Sequence, residues 1–448
     1  MKKKLLSLIL AASMVTMITA GCSGSNDNSG AKGGGTTELI FWHSMGGAGG
    51  EAISKMVEDF NKSQDKIKVN AEYQGSYDDA INKMKSSQQG NAGPDIMQLY
   101  DIGTRWMIDS GYAVPMQQFI DEDKFDISSL EKNILGYYTV NDKLYSMPFN
   151  SSTPILYYNK DAFKEAGLDP EKAPKTMKEL QEISAKLTKK EGDKVSRYGY
   201  SMAVYGWFFE QFAAKQGLAF ANNENGRKDK ATAVEFDKNG AGLNIFKMWK
   251  ELYDTGNAGN YGRKTADTQN AFNAGKTAMM IDSTAVLNSI IKGTNGKFEV
   301  GTAFLPSINE GDKGGVSIGG GSLWILDNKD KEKGKAAWEF IKFMVSPEQQ
   351  VYWHKSTGYF PITQKAYDLP EMKEHLKKYP QFQTAIDQLH ASTVESRGAL
   401  LGVFPQARQV IETEIEGLLQ NKSTPEQAVE KAASTINTAL EKYNKSNK

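Results

Sequence analysis

The 448-residue chain has one cysteine, four histidines and no surplus of charge. A single cysteine excludes a disulfide framework and a thiolate metal cluster. The histidines, His43, His354, His375 and His390, show neither an HExxH motif nor a paired spacing that would hold zinc, so no metal or other cofactor is expected. Lysine plus arginine and aspartate plus glutamate number 54 each, and that balance gives no reason to expect a nucleic acid or another polyanion as partner. After residue 21 no stretch approaches the ~18 consecutive apolar residues of a spanning helix. GxGxxG, a Walker lysine and a GxSxG elbow are missing too, which weakens nucleotide-binding and serine-hydrolase readings. Carboxylates are plentiful, and only their separation in space decides whether two of them form a glycosidase pair.

What is present starts at the N-terminus. Residues 1–21 combine Lys2, Lys3 and Lys4 with a mostly apolar run from Leu5 to Ala20, then small residues at Ala20-Gly21-Cys22; this is a secretory signal. Without those lysines the remaining chain has 51 basic and 54 acidic residues, a charge of −3. A lone cysteine directly after the cut resembles the lipobox of bacterial lipoproteins, although Thr19 stands where that pattern prefers leucine. The resemblance implies that Cys22 is lipidated and becomes the mature N-terminus. Residues 22–37, rich in Ser, Gly and Asn, then read as a flexible tether.

The body has room for two domains or one large α/β unit. Glu38-Leu-Ile-Phe-Trp42 reads as a strand, followed by the glycine-rich turn 43–50 and a helix with Ile53, Met56, Val57 and Phe60 on one face. Ile67, Val69, Ala71 and Tyr73 alternate as in a half-buried strand, and residues 95–100 form the next. Alternating strands and helices imply a mainly parallel sheet, with ligands beyond the carboxyl ends of its strands. His43, Tyr77 and Asp101 occupy such positions. Pro148-Phe-Asn-Ser-Ser-Thr-Pro154 is a polar run between two prolines, leading into the strand Ile155-Leu-Tyr-Tyr-Asn159. Its hydroxyls suit a crossover that faces a ligand. Thr176 and Glu179 form a capping box, Trp207 is either core or a stacking platform, and residues 277–281, 298–304 and 322–326 are further strands. From Lys335 the chain reads as mostly helical, interrupted by the loop Thr357-Gly-Tyr-Phe-Pro361. Hydroxyls, glycine amides, one carboxylate and aromatics recognise a polar ligand but offer no activated nucleophile. The inventory favours binding over catalysis, with a secreted, lipid-anchored carbohydrate-active enzyme as the alternative.

Several segments together resemble the extracellular solute-binding proteins of bacterial ABC importers, the maltose-binding-protein group, and within it the sn-glycerol-3-phosphate-binding branch. They include Phe41-Trp-His-Ser-Met45, Gly75-Ser-Tyr-Asp78, Gln98-Leu-Tyr-Asp-Ile-Gly-Thr104, Pro148–Pro154, Leu156-Tyr-Tyr-Asn-Lys-Asp-Ala-Phe163, Gly319-Gly-Gly-Ser-Leu-Trp324, Thr357-Gly-Tyr-Phe-Pro361 and Pro405-Gln-Ala-Arg408. The resemblance implies a two-lobed α/β fold of the type II periplasmic-binding-protein class, each lobe a mainly parallel sheet flanked by helices. One lobe would hold 38–150 plus 282–321 and the other 151–281 plus 322–448, with hinge crossings near 150–154, 280–284 and 320–324. Carried over position by position, ligand contacts fall on Tyr77, Asp101, Ser152, Ser283, Gly320 and Tyr359, with Trp207 as a platform. An aromatic expected after Lys175-Thr176 is Met177, and an arginine expected before Leu401-Gly402 is Leu400, which leaves Arg397 as the candidate cation. The ligand is a glycerol phosphate or a neutral sugar. The further expectations are a monomer, permease subunits as partners, and a lipid anchor on the extracellular or periplasmic face of the cell membrane.

Overall fold

The computed structural model describes residues 35–87 and 93–447, apart from the side chain of Val394. The signal segment, Cys22 and nearly all of the tether lie outside these residues, while Thr37 already opens the first strand. In chain order, the strands that build the two sheets are β1 (Thr37–His43), β2 (Ile67–Tyr73), β3 (Ile96–Tyr100), β4 (Ala113–Val114), β5 (Met147–Ser152), β6 (Pro154–Asn159), β7 (Tyr200–Ser201), β8 (Ala258–Gly259), β9 (Met279–Ser283), β10 (Val300–Phe304) and β11 (Gly319–Leu326). The first sheet runs β2-β1-β3-β11-β4, with β5 also paired to β11; the second runs β8-β7-β9-β6-β10.

Both sheets are mixed rather than mainly parallel. β1 pairs in parallel with β2 and β3, as strand–helix–strand units require, and β7 does so with β8 and β9. The strands that arrive from the other sheet enter antiparallel: β11 against β3, β4 and β5, and β6 against β9 and β10. No crossover helix precedes them to turn their direction round. Sheet membership also moves the expected boundaries. β10 pairs in the second sheet although 282–321 were expected with the first, and β11 pairs in the first although 322–448 were expected with the second. The chain therefore changes sheet at 152–154 and again between 304 and 319. Near 280–284 it stays in the second sheet, where β9 ends against the first crossing.

That first crossing is held from several sides. The Thr284 amide donates to the Thr153 carbonyl at 2.9 Å, the Thr153 amide to Thr284 Oγ1 at 3.3 Å, and Gln388 Nε2 to Thr153 Oγ1 at 3.1 Å. Every residue from Met147 to Asn159 is buried, so each backbone group there needs a protein partner. One apolar cluster fills the space between the first sheet and the helices Gly47–Ser63, Lys331–Met344 and Pro347–Ser356. A second runs from Met97 and Leu99 through the helices Gly206–Lys215, Ala241–Asp254, Phe404–Leu419 and Pro425–Ser446. The last of these begins with a reciprocal capping box formed by Thr424 and Gln427. At Thr176 only half of it forms, because Glu179 Oε2 accepts from the Lys175 amide instead.

Candidate functional site

Seven of the eight candidate ligand residues line one cavity of about 200 Å³ between the sheets. Tyr77, Asp101, Ser152, Gly320 and Tyr359 come from the first sheet and its loops, and Trp207 and Ser283 from the second-sheet side. Each sits where a strand or helix ends, which is where backbone geometry turns side chains out of the ladder. Ser152 is the last residue of β5, Ser283 the last of β9, and Asp101 follows β3 directly.

The first-sheet wall is built from neutral donors and acceptors. Asn150 Nδ2 donates to the Tyr77 hydroxyl at 2.9 Å, and Gln98 Nε2 donates to Asn150 Oδ1 at 2.8 Å. The Tyr359 hydroxyl faces the same two groups, Asn150 and Tyr77. Tyr77 stacks on Tyr100 at 5.1 Å between ring centroids, and Tyr359 on Trp353 at 5.5 Å, so both phenols are held by their ring faces with their hydroxyls inward. Burial pushes both hydroxyl pKa values up, which keeps them protonated donors. Gly320 is dictated by space: its φ is +102°, and a Cβ there would lie 1.8 Å from the Asn150 carbonyl oxygen. The Trp207 indole lies across Gly319, where a Cβ would approach the ring to 2.7 Å. Trp207 is both things the sequence allowed, a buried member of the apolar cluster and a wall of the cavity, and its Nε1 has no partner among the described residues.

The opposite wall is charged. Arg408, from the helix Phe404–Leu419, reaches the cavity and donates from Nε to Glu210 Oε1 at 2.6 Å, and from Nη2 to Glu210 Oε2 at 2.9 Å and Asp101 Oδ2 at 3.1 Å. Nη1 makes a long bond to the Tyr205 hydroxyl at 3.4 Å. Of the five guanidinium N–H groups, four are thus engaged and one is left over. Burial opposes the charge on Arg408, but Glu210 and Asp101 outweigh it and hold the pKa well above the ordinary value. Burial in turn raises the carboxyl of Glu210 to about 7, and that of Asp101 upward, with Arg408 working the other way on both. Asp282, behind Ser283, also lines the cavity; burial raises it to about 6, against bonds from Gln269 Nε2 and its own neighbour's amide.

Arg397 is the candidate that does not join this cavity. Its carbonyl accepts from Arg227 at 3.0 Å on a half-buried loop elsewhere. Leu400 is buried in the core, and Met177 lines a different surface depression beside Gln181 and Met248. The cation of the site is Arg408, which the sequence displayed in Pro405-Gln-Ala-Arg408 without its role being assigned. The available signal was positional: Arg408 lies four residues before Glu412 on one helix face, and both line up on Gly206, whose amide donates to Glu412 Oε1 at 3.0 Å. A Cβ at Gly206 would meet Arg408 Cβ at 2.8 Å, so the glycine lets the two helices close on the site.

A cleft lined by hydroxyls, aromatic rings, two carboxylates and one paired arginine, between two sheets joined by crossing strands, is the architecture of a solute receptor. The chain belongs to the bacterial extracellular solute-binding protein family, which matches residues 55–384. It is 36% identical over 423 residues to the sn-glycerol-3-phosphate-binding periplasmic protein UgpB of Escherichia coli K12, covering 92% of this chain and 94% of that one. The protein of the same name from Pectobacterium atrosepticum is 34% identical over 421 residues, covering 92% and 93%. Among solved structures, UgpB of Mycobacterium tuberculosis in complex with glycerophosphocholine superimposes with a TM-score of 0.78 at 22% identity, covering 91% of this chain and all of that one. An ABC substrate-binding protein of Listeria monocytogenes in complex with cycloalternan gives 0.76 at 21%, covering 90% and 99%. These likenesses bear out the fold class and make the chain the substrate-binding component of an ABC importer, with a small-molecule ligand and permease subunits as partners.

Proposed function

We propose that this protein captures a small phosphate ester of glycerol in the cavity between its sheets and presents it to the permease from a lipid anchor on Cys22, as a monomer on the outer face of the cell membrane. The observation that carries the ligand assignment is the convergence of Arg408 with four hydroxyls, Tyr77, Ser152, Ser283 and Tyr359, and the Gly320 backbone on about 200 Å³. Such a set offers a phosphate its charge-assisted bond and neutral donors in a water-poor cleft. Asp101 accepts from glycerol hydroxyls and the Trp207 face packs on the carbon chain. The volume suits a three-carbon ester better than an oligosaccharide, and the glycerol-3-phosphate-binding relatives at about 36% identity point the same way. With Met177 outside this cavity, its aromatic surface comes from Trp207 and the lining tyrosines, of which Trp207 offers the largest ring face.

A small neutral sugar is the second reading, favoured by the Asp101 carboxylate and the Trp207 indole in one cavity. Isothermal titration of the purified protein with glycerol 3-phosphate, glycerophosphocholine and maltose separates the two. Heat from either ester and none from maltose supports the proposal; heat from the sugar alone sinks it. The anchor is tested separately, since Cys22→Ser should release the protein from the membrane fraction, and continued retention would remove Cys22 from that role.

A further inference from the structure

Arg408 and Glu210 form a partition between two cavities. Arg408 lines the ligand cavity, whereas Glu210 lines a second one of about 430 Å³ on its far side. The second cavity is bounded by Gln216, Phe220, Lys313, Glu395 and Phe404, and reaches the surface beside the exposed Lys313 and Glu395. Glu210 therefore has a water-accessible side that does not pass through the ligand cavity. Before any ligand arrives, Arg408 carries two carboxylates, so the buried triad of Arg408, Asp101 and Glu210 has a formal charge of −1 when both are ionised. An anionic ester docking on Arg408 would add one or two negative charges within a few ångströms of Glu210, in a medium where like charges repel strongly.

We propose that Glu210 is a displaceable counter-ion which takes up a proton, through the second cavity, when an anionic ester engages Arg408, so that ligand capture is coupled to proton uptake. This rests on the phosphate-ester reading above. The groups that face Glu210 are Arg408 and Glu412 from the helix Phe404–Leu419, Asp101 from the end of β3, Tyr205 at the start of its own helix, and Tyr137 from the helix Lys132–Tyr138. Across the second cavity stand Lys313 and Glu395. Burial raises the carboxyls of Asp101, Glu412 and Glu210, the last to about 7, whereas Glu395 is held below its ordinary value by Thr393. The proton goes to Glu210 because an ester that takes over Arg408 strips two guanidinium bonds from Glu210 and only one from Asp101, and because Glu210 borders the second cavity. The balance is simple: the incoming anion takes over part of the Arg408 guanidinium, and one proton from solvent goes to a Glu210 oxygen. No bond other than O–H is made.

Titration calorimetry with glycerophosphocholine tests this, because that ester has no group of its own that titrates between pH 6 and 8. Run in two buffers of different ionisation enthalpy at pH 7, wild type should show net uptake of about half a proton, rising toward one at pH 8, and Kd should weaken about tenfold from pH 6 to pH 8. In Glu210→Gln the uptake should vanish and Kd should change less than about twofold over the same range. Binding without proton uptake in wild type overturns the coupling and leaves the ligand reading standing; absence of binding by either phosphate ester overturns both. A ligand-free measurement keeps the coupling falsifiable if Glu210→Gln binds poorly. With a folded-state pKa raised from 4.5 to about 7, Glu210 holds more protons folded than unfolded, so wild-type stability must fall relative to Glu210→Gln as pH rises from about 4.5 through 7. Parallel melting curves across that window would deny Glu210 its titration and end the proposal.

Discussion

Two buried arginines in this molecule are neutralised in opposite ways. Arg408 is held by carboxylates, Glu210 and Asp101, with Tyr205 and Phe404 rings each 5.7 Å from its guanidinium carbon. Arg227 is held by four carbonyls instead: its Nε by Gly398 at 3.0 Å, Nη1 by Gly136 at 3.2 Å and Tyr137 at 3.0 Å, and Nη2 by Arg397 at 3.0 Å. Among the described residues it has no carboxylate within ion-pair distance, and burial lowers its pKa to about 10. Gly136 and Tyr137 belong to the last turn of the helix Lys132–Tyr138, whose free carbonyls and dipole favour a cation there. Three consecutive left-handed residues, Asn223, Glu224 and Asn225, with φ of 53°, 54° and 61°, bring the chain to that position. The carbonyl cage cannot change its charge; the carboxylate pair can. One arginine is a fixed fastening, and the other is placed where its partners can be exchanged for a ligand.

The harshest way to break this comparison is Arg408→Ala. It strands Asp101 and Glu210 as uncompensated buried carboxylates, and losing one partner of such a set costs about 3–5 kcal/mol. Urea unfolding at pH 8 should show a loss of that order, and at pH 6 a smaller one, because Glu210, raised to about 7 by burial, is then largely protonated. Ester binding should weaken by at least about a hundredfold. An equal loss of stability at both pH values would mean that Glu210 does not titrate beside Arg408.

Arg227→Met sharpens the contrast from the other side. It keeps much of the apolar stem over the Tyr137 ring and removes donors from four carbonyls, for a cost of about 2–3 kcal/mol. Since carbonyls do not titrate, that cost should be the same at pH 6 and pH 8 in urea unfolding. A pH-dependent cost would show that Arg227 too belongs to an ionisable network, and the distinction between the two arginines would fall.

The two arginines also mark what the sequence could and could not disclose. Of the three post-strand candidates, Tyr77 and Asp101 line the cavity and His43 is not among its lining residues, whereas Ser152, Ser283 and Gly320, which the family resemblance supplied, converge on it too. Arg408 and Glu210 lie inside helices, at positions where periodicity describes a buried face but not what the opposing helix holds; Glu210 follows three aromatics and reads as the edge of an apolar face. The expected cation at Arg397 rested on distance from Leu401-Gly402, and that stretch turned out to supply carbonyls to Arg227 and an amide, Leu400 N to Asn225 O at 2.8 Å. Mixed sheets escaped for a related reason. Strand type follows from local pattern, whereas direction depends on which sheet the chain has just left, and the crossover read ahead of β6 carried no sign of the direction in which that strand would pair.

Ser152→Ala is the mildest test, and it bears on the neutral wall that both arginines leave untouched. Ser152 is buried at the end of β5, paired with Gly319 of β11, so its backbone position is fixed without its hydroxyl. If Ser152 contacts the ligand as proposed, removing Oγ takes away one neutral hydrogen bond and little else, since no intramolecular partner depends on it among the described residues. The expected result is an unchanged melting temperature and an ester affinity lower by about 1–2 kcal/mol, a five- to thirtyfold rise in Kd read by calorimetry. Because a hydroxyl does not titrate in this range, the ratio of mutant to wild-type Kd should be the same at pH 6 and pH 8. A ratio that changes with pH would place Ser152 in contact with the ionisable side of the cleft, and an unchanged Kd would take it out of the site.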